Sequence, residues 1–159
     1  MKHDMVNSPS HYCTEGRPEC IELINDLICG HDGVSAFCIG QVKYLYRAGK
    51  KAESGMTMYE KAIEDVSKFL WYINFIIKKI ESYTFEDWQK FLRQRSFIPE
   101  TRQHFIANEF SFGKEEDIGE RIYFIVIKLA NITNINTYYL IRSDLEDLID
   151  LMEVKKDEE

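Results

Sequence analysis

The stretch GQVKYLYRAGKK, residues 40–51, holds four cations (Lys43, Arg47, Lys50, Lys51), two tyrosines, two glycines and no acid, in a chain of 159 residues with a formal charge of −7. Two chemistries fit those residue types. On a helix ending near Ala48, Lys43 and Arg47 stand four apart on one face, Lys50 and Lys51 follow, and Tyr44 and Tyr46 fall on either side. Such a cup could hold a phosphate, with the guanidinium as a bidentate donor and the ammonium groups as point charges. The same residues also suit a helix C-terminus. Cations there complement the macrodipole, and Gly49 fits a left-handed C′ position. Residue types alone leave both readings open.

The surrounding charge narrows the ligand. Residues 1–81 carry 10 Lys+Arg against 11 Asp+Glu, and residues 82–159 carry 10 against 16, so the acidity lies in the second half. A chain this acidic is a poor binder of duplex DNA, whose phosphates supply most non-specific affinity. A small anion needs only a local cluster. Hydrophobic content of 45% and aromatic content of 13% predict a folded core. No apolar run approaches the roughly 18 residues of a membrane span. The opening MKHDMVNSPSHY has no signal-peptide pattern, so a cytosolic protein is expected. Cysteines at 13, 20, 29 and 38, with His11 and His31 nearby, match neither a zinc knuckle nor a dense disulfide framework. They read as reduced, partly buried small hydrophobes, with zinc as the alternative.

The elements that would position these residues read as helices throughout. Pro18 and Glu19 suit the first turn of a helix over CIELINDLI, stopped near Gly30. A second helix is predicted from a Ser35 cap to Ala48. Thr57 and Glu60 form a capping box for MYEKAIEDVSKFLWYINFIIKKI, in which Ala62, Val66, Phe69, Leu70, Ile73, Ile76, Ile77 and Ile80 make a wide apolar stripe. Glu64 and Lys68 are spaced for an ion pair. Further helices are predicted from Thr84, from Pro99-Glu100 to about Phe110, from Glu115 to Ala130, and from about Thr137 to Val154, with a fraying KKDEE tail. The expected fold is all-α, about six helices in a compact bundle. Region 1–81 carries the cation cluster, and an acidic helical region, 82–159, packs on it.

Four blocks in order, VNSPSHY (6–12), ECIELI (19–24), GQVKYLYRAGKK (40–51) and EDVSKFLWYI (64–73), resemble the pattern of a family of small phage proteins known as SaV-like. Some members of that family are regarded as nucleotide kinases. The resemblance covers about residues 5–80. It implies a nucleotide ligand bound in the host cytoplasm, with Tyr12, Lys43, Tyr44, Arg47, Lys50, Lys51 and Lys68 holding nucleotide and phosphate. It also implies His11 as an acid/base or base-contacting group, Asp65 as a Mg²⁺ ligand or the partner of a cation, and ATP with Mg²⁺ as cofactors. No GxxxxGK[ST] loop is present, so a kinase here would lack the usual phosphate cradle. Three functions follow: a kinase of (deoxy)nucleoside monophosphates, a module that sequesters a nucleotide or a nucleotide-derived defence signal without turnover, and a host-interaction protein.

Residues 84–150 bear a weaker resemblance to MazG-like all-α nucleotide pyrophosphohydrolases, carried by TFEDWQKFLRQ and EEDIGERIYFIVIKLANITNIN. This likeness implies Asp117 and Glu120 as metal-binding acids. The preceding helix supplies only Glu109 where several carboxylates must converge. Both resemblances imply a homo-oligomer, and apolar faces on two long helices agree with that expectation.

Overall fold

Apolar residues stepping by three and four from Ala62 to Ile80 leave one outcome for that segment, a helix with one face buried. In a computed structural model describing residues 16–51 and 53–159, that helix is the spine of the protein. The elements in chain order are α1 (Cys20–Ile28), α2 (Gly33–Gly40), α3 (Lys43–Arg47), α4 (Met58–Ile80), α5 (Phe85–Gln94), α6 (Glu100–Ser111), α7 (Glu116–Ala130) and α8 (Ile135–Glu158). All are helical, and none is long and apolar enough to cross a membrane.

α4 starts where Thr57 accepts from the Glu60 backbone N–H while Glu60 reaches back to the Thr57 N–H. It buries Ala62, Val66, Phe69, Ile73, Ile76, Ile77 and Ile80. α8 packs along it, burying Tyr138, Ile141, Leu145, Leu148 and Met152, and α7 joins α8 to α6. On another side of α4 lie α2 and α3, with α1 behind them. Residues from both halves of the chain fill one continuous core. Each fully buried aliphatic side chain contributes roughly 1.5–3 kcal/mol, and the core explains why an acidic second half stays docked on a near-neutral first half.

Eight helical elements appear among the described residues where about six were expected. The helix predicted from Ser35 to Ala48 is divided at Gln41–Val42. There the N–H groups of Gln41 and Val42 bond back to the carbonyls of Cys38 and Ile39, three residues away, and the tightened turn redirects the chain. The N-cap of α2 is Asp32, and Ser35 is buried inside the helix. At the other end of the chain α8 runs on to Glu158 through the predicted tail. Lys155 lies 2.8 Å from Glu115 and 3.0 Å from Asp117, which ties its last turns to the start of α7.

α5 buries no residue fully and is held by half-buried Trp88 and Phe91, which meet edge to face, and by His31 against Phe91. The chain leaving α5 runs hard against Gly30. This glycine has φ +85°, and a Cβ on it would stand 2.4 Å from the Arg95 Cα and 2.7 Å from the Ser96 nitrogen. Gly30→Ala therefore combines left-handed strain with a backbone clash, and an expected loss of about 2–3 kcal/mol is measurable by urea unfolding. A loss below about 0.5 kcal/mol would show that α5 can be displaced freely.

Candidate functional site

Because α2 and α3 run antiparallel to α4, Phe37 meets Tyr72, Tyr44 meets Lys68 and Arg47 meets Asp65. The centre of this seam is the ring of Tyr44. The Lys43 Nζ lies 5.3 Å from its centroid, the Arg47 guanidinium carbon 4.5 Å and the Lys68 Nζ 5.6 Å. Three cations from two elements thus surround one half-buried phenol. A ring quadrupole favours each by roughly 0.5–2 kcal/mol, which offsets part of their mutual repulsion.

The cations differ in what else they touch. Arg47 is buried and donates through Nε (3.0 Å) and Nη2 (2.7 Å) to Oδ1 of Asp65. Asp65 is 0% exposed, and the Lys61 Nζ stands 3.7 Å from the same oxygen. Lys61, also buried, bonds to Glu53 and Glu64 at 2.8 Å each; those two bonds push its pKa up and hold the carboxyls of Glu53 and Glu64 low, Glu64 at about 2. Lys68 shares Glu64 but is 42% exposed, and Lys43 makes no ion pair among the described residues. Arg47 and Lys61 are therefore committed to Asp65 and its neighbours. Lys43 and Lys68 remain able to meet a ligand, since an exposed pair such as Lys68–Glu64 is worth only about 0–1 kcal/mol.

The four-cation cup is not assembled as one unit. Lys50 lies on the opposite side of α3, 3.5 Å from the ring centroid of buried Tyr46, and donates to the Glu109 carbonyl at 3.4 Å. Burial lowers its pKa to about 8. Beside it Lys114, held well below its ordinary pKa first by burial and then by the Lys50 charge, donates to the carbonyls of Tyr46 and Phe110. These two lysines close the C-terminal ends of α3 and α6, where carbonyls lack helical partners. Lys51 is half-buried next to the cluster. His11 and Tyr12, like Cys13, lie outside the described residues.

Asp65 does not suit a Mg²⁺ ion. Arg47 and Lys61 both meet Oδ1, whereas the buried Oδ2 has no hydrogen-bond partner among the described residues. A divalent cation at Oδ2 would still meet two positive charges at the neighbouring oxygen, with no cluster of acids among the described residues to offset them. Among the described residues no three His, Cys, Asp or Glu side chains come together as a metal set. Of the second-half acids, Asp117 bonds to Lys155, Glu120 is exposed on α7, and Glu109 is buried against Arg17 at 3.0 Å. Cys20 and Cys38 are buried and Cys29 is exposed; burial pushes the Cys20 thiol up to about 12. A cavity of about 250 Å³ between α4, α7 and α8 is lined mainly by Ala48, Met58, Ala62, Ile118 and Met152, with its polar rim taken up by the Tyr59–Glu115 and Lys155–Glu115 contacts.

Sequence reasoning missed Lys61 as a partner of Asp65, although the i,i+4 spacing was available, and it missed Phe37. The contact of Phe37 with Tyr72 depends on the turn at Gln41–Val42, which spacing along one helix cannot show.

Residues 6–74 match the model of a family described as a protein of unknown function (DUF3310). The matched stretch spans all four sequence blocks and carries α1 to α3 and most of α4, including Lys43, Tyr44, Arg47, Asp65 and Lys68. No curated protein and no solved structure matches the chain.

Proposed function

We propose that this protein binds a nucleotide through its phosphates at the Tyr44 face and holds it without turning it over. The observation that carries the reading is the convergence of Lys43, Arg47 and Lys68 on one half-buried tyrosine ring. Lys43 and Lys68 supply mobile positive charge, Tyr44 offers a ring face and a hydroxyl, and the Arg47–Asp65 pair fixes α3 against α4. The resemblance to SaV-like proteins supports the same residues. A protein of this kind would act by sequestering a nucleotide or a nucleotide-derived signal.

A kinase-like activity on (deoxy)nucleoside monophosphates, with ATP and Mg²⁺, is the second reading. The SaV-like resemblance favours it, whereas the engagement of Asp65 by Arg47 and Lys61 weighs against it.

Calorimetry with a deoxynucleoside monophosphate, ATP and a cyclic nucleotide tests both readings. Charged hydrogen bonds are worth about 1.5–3 kcal/mol each, so Lys43→Ala with Lys68→Ala should weaken binding roughly a hundredfold or more while far-UV circular dichroism stays unchanged. Arg47 is unsuited to this test, because removing it takes two hydrogen bonds from buried Asp65. Undiminished binding in the double variant would sink the assignment of the site. Conversion of a monophosphate to a diphosphate in Mg²⁺-ATP, lost in the same variant, would restore the kinase reading.

A further inference from the structure

The seam that holds Tyr44 continues along α4 as a surface unlike the rest of this acidic chain. No Asp or Glu occurs from Gly33 to Lys51, nor from Val66 to Ile80. These two acid-free segments lie against each other. On α4, Lys68, Trp71, Tyr72, Phe75, Lys78 and Lys79 recur at three- and four-residue steps and so share one face, opposite the face that enters the core. Trp71 is 59% exposed, Phe75 41%, and Phe37 of α2 joins them at 60%. Their rings form one connected run: Phe37 to Tyr72 at 5.8 Å, Tyr72 to Trp71 at 5.0 Å, and Trp71 stacked on Phe75 at 5.6 Å. Lys43 and Lys68 stand at one end, and Lys78 and Lys79 are exposed at the other.

A single nucleotide would use the Tyr44 end and leave three exposed rings and two lysines without a role. A ligand that repeats both a flat ring and a negative charge would use the whole length. We infer that this face binds a short single strand of nucleic acid, with successive bases on Phe37, Trp71 and Phe75 and the phosphates between the Lys43/Lys68 and Lys78/Lys79 ends. The inference rests on the nucleotide-binding reading and extends it from one residue of ligand to several. Base stacking on aromatic rings tolerates any sequence, and cations at both ends supply the salt-dependent part. A duplex hides its bases from such a run of rings, in keeping with the poor match between duplex DNA and the chain's net charge.

The test uses the full chain, with tryptophan fluorescence and anisotropy as readouts. The probes are a twelve-residue single strand of DNA, the same length of RNA, the corresponding duplex and the mononucleotide. Expected are quenching by at least one single strand and an affinity at least tenfold above that of the mononucleotide and the duplex. Binding should weaken with salt with a slope of roughly −0.7 per phosphate contacted. Trp71→Ala with Phe37→Ala, both on exposed positions, should cost the single strand about tenfold or more. Lys78→Ala with Lys79→Ala should weaken the single strand several-fold more than the mononucleotide. A preference between the DNA and RNA strands identifies which one the face takes.

Mononucleotide binding with no gain for either strand overturns the extended track and leaves the nucleotide reading standing. Absence of both removes both. Equal binding of the duplex overturns the stacking argument. Sedimentation showing a dimer that Trp71→Ala dissolves, and that single strands leave intact, assigns the face to a second copy of this chain and overturns the inference as well.

Discussion

Replacing Asp65 by alanine is expected to remove about 3–5 kcal/mol of stability, the usual consequence of breaking a buried ion pair by removing one member. The carboxylate is fully buried, and its Oδ1 holds the Arg47 guanidinium through two nitrogens at 3.0 and 2.7 Å. Lys61 stands 3.7 Å away but keeps Glu53 and Glu64, so the cost falls mainly on Arg47. For a chain of this length the loss corresponds to a fall in Tm of roughly 10 °C, out of a total stability of about 5–15 kcal/mol. Urea unfolding should show a lower midpoint with an unchanged slope. Replacing both partners, Arg47→Met with Asp65→Leu, should cost less than the sum of the single changes, because the pair is then removed as a unit. A single-variant loss below about 1 kcal/mol would mean that water reaches the pair and that Arg47 does not fix α3 to α4.

Stability should also fall as the pH drops from about 6.5 to 4, and His31 should account for much of the fall. Its Nδ1 lies 2.7 Å from the Ser35 Oγ, and its ring packs edge to face on Phe91. Burial, and then the positive charge of Arg95, lower its pKa to about 4, with Asp32 acting the other way. The sign follows from where the protons go. Below about 6.5 the unfolded chain takes a proton on this residue, while the folded protein refuses it until about 4. The stabilisation is therefore complete above pH 6.5 and is lost as the pH falls toward 4, and its full size is about 3 kcal/mol. The carboxyl of Glu64, held at about 2, adds a smaller loss at lower pH, reduced by solvent because the side chain is partly exposed. In His31→Gln the slope between pH 6.5 and 4 should flatten. Parallel pH profiles for the two proteins would show that the ring is hydrated in the folded state.

His31 sits on the same contact as Gly30 and Arg95, so both predictions probe how α5 is attached. Arg95 donates to the Ala130 carbonyl, yet its Nη1 and the His31 Nε2, both buried, have no hydrogen-bond partner among the described residues. Leaving such groups unsatisfied costs about 1–3 kcal/mol each. A helix that buries no residue of its own and meets such a junction is the first element expected to open.

Much of this molecule was determined by local order along the chain. The three- and four-residue spacing of Ala62 to Ile80 dictates α4. Thr57 with Glu60 and Thr84 with Asp87 make the predicted starts of α4 and α5, and the left-handed Gly49 ends α3. Each depends on atoms within one helical turn, and for that reason the sequence alone reveals them. The pair Glu64–Lys68 was legible for the same reason. What only the tertiary structure decided is the fate of the charges. Lys43, Arg47 and Lys50 are neighbours in sequence and equal in formal charge. One remains open to a ligand, one is buried on a carboxylate eighteen residues away, and one closes a helix end beside Glu109 of the other half. Desolvation and the choice of partner separate them, and both depend on which surfaces α4, α6 and the turn at Gln41–Val42 bring together. The stretch GQVKYLYRAGKK is thus divided by its own short helix, one side structural and one side available for binding.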